Sequence, residues 1–113
     1  VILRPGIYPC NIVQQKIAGE MAGPYQHVPV HIFDLEPSEL TGLHLFAQRV
    51  AKAMDKTLTC KRIGIAVIGL EVPHVHIHLV PLNTISDINF TQAKLSLPAE
   101  ELAEIAERIR AGF

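Results

Sequence analysis

Three histidines lie within one five-residue stretch, His74-Val75-His76-Ile77-His78. Alternate residues of an extended strand point to opposite faces, so this spacing places the three imidazoles on one face and the apolar side chains on the other. Imidazoles are poor core residues because each buried ring nitrogen needs a hydrogen-bond partner. The pattern therefore predicts one face that packs and one face that carries chemistry.

Two kinds of chemistry could use such a row. A His-x-His pair on a strand can bind zinc through nitrogens about 2.1 Å from the metal. His74 and His78 lie about 13 Å apart along a strand and can hardly share one ion, so a zinc site would need ligands from elsewhere in the chain. The alternative is attack at phosphorus by the central imidazole of His76. Neutral imidazole is nucleophilic near pH 7, and a hydrogen bond from its other nitrogen to a carbonyl fixes the tautomer.

The elements that must position this row are a predicted antiparallel hairpin. Residues Arg62–Ile68 are β-branched at alternate positions and predict a strand. The stretch Gly69–Pro73 has the length of a hairpin connection, and His74–Leu82 predicts the second strand. Ile63 shares one face of the first strand with the other large apolar residues, whereas Arg62 shares the opposite face with two small residues, Gly64 and Ala66.

Two helices are predicted to flank the hairpin. The first runs from Pro37 to about Lys56, with a proline suited to a first helical position. Its apolar stripe comprises Leu40, Leu43, Ala47, Val50 and Met54. The second follows Ser96 as a cap and Pro98 as an opening residue, and its stripe comprises Leu102, Ile105, Ala106 and Ile109. Before Glu36, the sequence predicts only one or two helical turns around Asn11–Ala18. These elements predict an α+β fold.

Composition limits the class of protein. The chain has 113 residues, the size of one domain, and 49% of them are hydrophobic. Ten basic and eleven acidic residues give a net charge of −1, which argues against a long nucleic acid as a partner. No apolar run reaches the roughly 18 residues that a membrane span needs. Two cysteines without a CxxC pair indicate neither a disulfide framework nor a zinc ribbon, and a reducing cytoplasm is expected.

The segment His74-Val75-His76-Ile77-His78-Leu79-Val80 resembles the His-φ-His-φ-His-φ-φ signature of the histidine triad (HIT) superfamily of nucleotidyl hydrolases and transferases, where φ is apolar. The stretch from Gly64 through Gly69-Leu70-Glu71-Val72-Pro73, a strand ending in a glycine turn, is similar to that family's approach to the triad. From Ile32-Phe33-Asp34-Leu35 to the C-terminus, about two thirds of the chain, the order helix, hairpin, loop and helix resembles the C-terminal half of a HIT domain.

The resemblance implies roles for the three histidines. His76 would be the nucleophile that attacks the α-phosphorus and forms a nucleotidyl-histidine intermediate. His78 would lie near the leaving group and the phosphate oxygens, and His74 would orient the nucleophile. The family needs no metal or other cofactor for this reaction. If the small residues Gly64 and Ala66 share the histidine face, they leave room beside the imidazoles for a nucleotide.

The resemblance also implies a set of substrate-binding residues: Gly69, Glu71, Val72 and Arg62. Two of them depart from the family pattern. Glu71 stands where several relatives have a small hydroxyl residue that helps hold the phosphate, and Arg62 stands where relatives often carry an asparagine. A carboxylate beside a phosphate is repulsive unless it points away, so backbone N–H groups are expected to supply more of the phosphate contacts.

Together these features predict a single HIT-like domain over residues 1–113, with an antiparallel sheet, two main helices and an atypical or incomplete stretch of about 30 residues at its start. The expected activity is hydrolysis of a small nucleotide at its α-phosphate, and the expected substrate is a purine nucleoside phosphoramidate. The resemblance further implies a homodimer that uses the helix Pro37–Lys56 and a sheet edge. A catalytically silent nucleotide-binding or scaffold protein and a zinc-binding module are the alternatives.

Overall fold

A computed structural model describes residues 2–3, 30–70, 74–93 and 97–113 of the chain. The helical turns predicted around Asn11–Ala18 and the cap predicted at Ser96 lie outside these residues. So do two of the predicted substrate-binding residues, Glu71 and Val72.

The described strands form one sheet in the order β1-β3-β2, where β1 is Ile2–Leu3, β2 is Arg62–Ala66 and β3 is His78–Leu82. Strands β2 and β3 pair antiparallel, with Ala66 opposite His78. Strand β1 pairs parallel with the first two residues of β3. The β3 strand is therefore central, and β2 forms one edge of the described sheet.

The hairpin differs from its prediction in the length of its strands. The prediction that β3 begins at His74 is wrong, because the ladder begins at His78. Strand β2 ends at Ala66 instead of Ile68, so the residues that precede His78 have no β2 residue to pair with. The connection consequently runs from 67 to 77 and is longer than the predicted turn.

Helix α1 spans Pro37–Thr57 and begins, as predicted, at a proline in its first position. The Glu39 carboxylate accepts a hydrogen bond from the backbone N–H of Glu36 at 3.0 Å, which satisfies one of the free donors at the helix start. Helix α2 spans Ala99–Ala111 and begins one residue after Pro98. Within the described part of the chain, neither helix is long and apolar enough to cross a membrane.

The core lies between the helices and one face of the hairpin. The last part of the predicted α1 stripe, Ala47, Val50 and Met54, is fully buried, and so are Ile105 and Ile109 of α2. These residues pack in one cluster that also includes Ile77 and Leu79, the apolar partners of the histidine row. The sequence prediction that one face of the histidine segment packs is confirmed at these two residues.

The helices contact each other closely at the end of α2. A Cβ atom placed on Gly112 would lie 3.0 Å from the carbonyl oxygen of Ala53, so only glycine fits there without displacing the α1 backbone. The Arg108 guanidinium donates to the carbonyl oxygen of Thr57, and the Lys56 ammonium donates to that of Gly112 at 3.4 Å. These bonds use carbonyl groups that the helix ends leave without intrahelical partners.

Candidate active site

The site is built on the opposite face of β3 from the core. His78 lies on that face, and its cross-strand partner Ala66 lies beside it, as the sequence predicts. The room expected at Gly64 is not available. A Cβ atom on Gly64 would lie 2.6 Å from Cδ1 of Leu82 and 3.6 Å from Cδ1 of Ile88, so these two side chains already occupy that space.

The three imidazoles lie together, as the period-two spacing predicts. The ring centroids of His74 and His76 are 5.7 Å apart, and those of His76 and His78 are 4.7 Å apart, nearly perpendicular at 85°. His76 and His78 are only 6% and 4% exposed, while His74 is partly exposed. The second and third histidines are therefore mostly covered, and the first is the most accessible of the three.

Hydrogen bonds fix the proton positions of the central histidine. Nδ1 of His76 lies 2.8 Å from the carbonyl oxygen of His74. A carbonyl only accepts, so Nδ1 carries the proton and donates it, which leaves the lone pair of neutral His76 on Nε2. That contact is possible because His74 lies before the start of β3, where its carbonyl is not used in the ladder with β2.

The Nε2 atom of the central histidine faces the third histidine. Nε2 of His76 lies 3.1 Å from Nε2 of His78. With the lone pair on His76, the bond requires a proton on Nε2 of His78. The structure thus brings together the two imidazoles to which the family resemblance gives the roles of attack and of contact with the leaving group.

His74 differs from its neighbours in its electrostatics. Burial lowers the pKa of His74 below its usual 6.5, and the adjacent His76 lowers it further. A neutral His74 keeps positive charge away from the ring of His76. Its main contribution to the site is its backbone carbonyl, which holds the ring of His76.

The two described residues of the predicted substrate-binding set, Gly69 and Arg62, lie at different places along the hairpin. Gly69 has φ of 73°, a conformation that only glycine adopts without strain, so it makes the turn that the sequence predicts after the strand. Arg62 is opposite Leu82, at the far end of the ladder from the Ala66–His78 pair and about 13 Å from it along the strand. The structure therefore does not bring the Arg62 backbone to the triad.

One neighbour of the triad was missed by the sequence analysis. The ring of Phe90 lies 4.9 Å from that of His78, with an angle of 58° between the ring planes. Phe90 follows a short 3-10 helix, Ile85–Ile88, in a segment whose polar residues predict only a loop. A single large aromatic residue in a polar loop was the available signal, since such a residue usually packs against something.

Among the residues that the structure describes, no group of three or more histidine, cysteine, aspartate or glutamate side chains is arranged to hold a metal ion. His44, on α1, has its Nδ1 2.9 Å from the Leu40 carbonyl oxygen one helical turn away.

Comparison with known proteins gives a consistent result. The family model of the HIT domain matches residues 24–85, which include α1, the hairpin and all three histidines. An asymmetrical bis(5'-nucleosyl)-tetraphosphatase of Schizosaccharomyces pombe is 35% identical over 63 residues, covering 51% of this chain and 34% of that protein. The chain thus spans about a third of the length of this curated relative.

Two solved structures share the fold. A histidine triad protein of Sinorhizobium meliloti superposes with a TM-score of 0.67 at 22% identity, covering 80% of this chain and 70% of that chain. A histidine triad protein of Bradyrhizobium japonicum also gives a TM-score of 0.67, at 23% identity, covering 79% and 70%. These similarities support the predicted α+β fold with two main helices.

Proposed function

From the premise that this chain belongs to the HIT domain family, we propose that it hydrolyses small nucleotides at the α-phosphate through a nucleotidyl-histidine intermediate on His76. The observation that carries the proposal is the bond from Nδ1 of His76 to the His74 carbonyl oxygen. It directs the lone pair of the central imidazole to Nε2, the atom that must attack.

In the first step, Nε2 of His76 attacks the α-phosphorus and a phosphorus–nitrogen bond forms. The bond from phosphorus to the leaving group breaks, and its electron pair goes to the leaving group. His78 supplies the proton that this group needs from its imidazolium form, which carries a proton on both ring nitrogens, and becomes a neutral imidazole. Its Nε2 lies 3.1 Å from the reacting nitrogen, beside the site of attack. When the substrate binds, contacts with its phosphate must replace the hydrogen bond between His76 and His78.

In the second step, water attacks the same phosphorus. The phosphorus–nitrogen bond breaks, the electron pair returns to Nε2 of His76, and the nucleoside monophosphate leaves. His78, having lost its proton, accepts one from the attacking water. The two histidines are thereby restored to their starting protonation states, so no net proton or electron is required from elsewhere.

A purine nucleoside phosphoramidate is the substrate class that we propose first. The tetraphosphatase relative suggests a second substrate class, the dinucleoside tetraphosphates. These carry the same type of α-phosphorus with a larger leaving group. We assign substrate contacts to Gly69, Glu71 and Val72, and expect backbone N–H groups to supply more of the phosphate contacts than side chains do. Arg62 could reach only a more distant part of the substrate, given its place at the far end of the ladder.

The test is rapid quenching of a reaction with substrate labelled in the α-phosphate. Label should appear on the wild-type protein within one turnover and be absent from His76→Asn. Adenosine 5′-phosphoramidate and a dinucleoside tetraphosphate are assayed side by side, each with and without a chelator. We expect turnover that survives chelation.

Other outcomes correspond to the alternative functions. Tight nucleotide binding without labelled protein or turnover would indicate a silent binding or scaffold protein. One tightly held zinc ion per chain, with loss of activity on chelation, would indicate a metal site. Label on His78 in place of His76 would reverse the two assigned roles.

We also propose that the chain acts as a cytoplasmic homodimer without a cofactor, and that its partners are small nucleotides. The apolar edge strand supports the dimer. Ile65 on β2 is 53% exposed, and the two residues after the strand, Val67 and Ile68, are exposed as well. Exposed apolar edges of sheets favour pairing with another strand.

A further inference from the structure

We propose that Phe90 is a positioning residue for His78, holding that imidazole in the orientation in which its Nε2 meets Nε2 of His76. The inference rests on the proposed function, since His78 is there the residue that transfers the proton. In this proposal Phe90 acts through His78 and not on the reacting phosphorus.

Four rings are linked by successive contacts. Phe90, His78, His76 and His74 follow one another with centroid separations of 4.9, 4.7 and 5.7 Å. Each pair is strongly inclined, by 58°, 85° and 67°. Inclined aromatic pairs at these separations are favourable and depend on ring orientation. His78 thus contacts both the ring of His76 and the ring of Phe90.

The backbone that carries Phe90 is held on both sides by local hydrogen bonds. Before it, the Asp87 carboxylate accepts from the backbone N–H groups of Asn83 and Thr84 at 2.7 and 2.8 Å. Those bonds lower the pKa of Asp87, so the carboxylate stays ionised. After it, the side-chain oxygen of Asn89 accepts from the backbone N–H of Thr91 at 3.0 Å. A ring on such a segment has a defined position.

A phenylalanine suits this role chemically. Its ring packs against the imidazole of His78 and restrains the plane of that imidazole. The 3-10 helix before it covers the same face of the sheet, as Ile88 lies over Gly64. The segment that follows β3 therefore both covers the histidine face and orients its last histidine.

The experiment compares Phe90→Leu, which keeps apolar volume, with Phe90→Tyr, which keeps the ring. Ile85→Ala is the matched control, since Ile85 lies in the same segment and is 87% exposed. Two quantities are measured: kcat and KM for adenosine 5′-phosphoramidate, and the ¹⁵N spectrum of the His78 ring, which reports its tautomer and its order. Thermal unfolding confirms that each variant is folded.

For Phe90→Leu we expect a kcat lower by roughly 2- to 12-fold, the range for loss of an aromatic pair, with KM unchanged. We also expect a changed tautomer ratio at His78, with both readouts restored in Phe90→Tyr and unaltered in Ile85→Ala. A wild-type kcat or a wild-type His78 spectrum in Phe90→Leu would overturn the proposal.

The design separates the two proposals. If the wild-type protein has no turnover, the proposed function fails, and the ring spectrum still tests the positioning. If the wild-type protein turns over its substrate and the His78 spectrum of Phe90→Leu matches that of wild type, the positioning role fails and the proposed function stands.

Discussion

At the scale of single residues, the site depends on one contact between a ring and the backbone. The His74 carbonyl oxygen accepts a hydrogen bond from Nδ1 of His76, which leaves the lone pair of that ring on Nε2. Nε2 of His78 lies 3.1 Å from this atom. The different roles proposed for the two neighbouring histidines are based on this geometry, and each role can be tested separately.

The role of His78 predicts a dependence on the leaving group. With adenosine 5′-phosphoramidate, whose nitrogen must be protonated to leave, His78→Asn should slow turnover by about 10²- to 10⁴-fold, the usual contribution of a general acid. With a nucleoside 5′-phosphofluoridate, which releases fluoride, the loss should be much smaller. Steady-state kcat on the two substrates gives the comparison.

His76→Asn provides the control, since losing the nucleophile should abolish turnover of both substrates. Equal losses on the two substrates in His78→Asn would contradict an acid role for that residue.

The lowered pKa of His74 predicts how stability depends on pH. Above pH 6.5 the His74 ring is neutral in both the folded and the unfolded chain, so proton binding does not favour unfolding. As the pH falls below 6.5, the unfolded chain binds a proton that the folded protein resists, so the free energy of unfolding decreases until the folded pKa is passed. Between pH 7.5 and pH 5, the urea midpoint should fall more for wild type than for His74→Gln.

NMR titration of the His74 ring gives an independent check of the same prediction. A midpoint at or above 6.5, or parallel urea curves for the two proteins, would show that burial and His76 do not act on this ring as described.

At the scale of elements, the two helices pack against the face of the sheet opposite the candidate site. Helix α1 places Val50 and Met54 against Ile77 and Leu79, the residues that alternate with the histidines. Because the side chains of a strand alternate, fixing the apolar face also fixes where the imidazoles point. Damage to α1 should therefore affect the site indirectly, through stability.

Truncation of the α1 stripe measures this support. Met54 is only 1% exposed, so Met54→Ala should lower the free energy of unfolding by about 2 to 5 kcal/mol, through lost burial and the cavity left behind. Leu45 lies on the same helix but is 56% exposed, and Leu45→Ala should change stability by less than about 0.5 kcal/mol. Denaturant unfolding of both variants is the measurement, and equal effects would contradict the packing described.

At the scale of the whole molecule, the described sheet ends at an apolar edge. Strand β2 carries the exposed Ile65, and no described strand lies beyond it. In the proposed homodimer this edge and helix α1 are covered by a second copy of the chain. A domain of this size buries a limited fraction of its surface, so covering the edge adds to its stability.

A charge on the edge should disrupt the dimer. Ile65→Lys would place an ammonium group in the proposed interface, and charged edge residues oppose strand pairing. Sedimentation velocity at micromolar concentration should show a dimer for wild type and a monomer for Ile65→Lys. Ile85→Lys, in an exposed position on another segment, should remain dimeric. A monomeric wild type would exclude the proposed assembly.

The sequence by itself determined the features that depend on local periodicity. The α1 stripe ending at Met54, the start of α1 at Pro37 and the alternation of the histidines with Ile77 and Leu79 were all predictable, because helices and strands repeat their faces at known intervals. The family resemblance came from the same short stretch. The roles of the individual histidines remain predictions, supported by the contacts that the structure adds.

Only the tertiary structure decided which groups meet. Alternation continues along an extended chain whether or not it is paired, so the sequence could not show that β3 begins at His78; the length of β2 decides that. The carbonyl of His74 is available to His76 for this reason. Likewise the space beside Gly64 depends on the side chain of Leu82 across the ladder. Contacts of this kind join residues whose separation along the chain carries no periodic signal, and packing alone determines them.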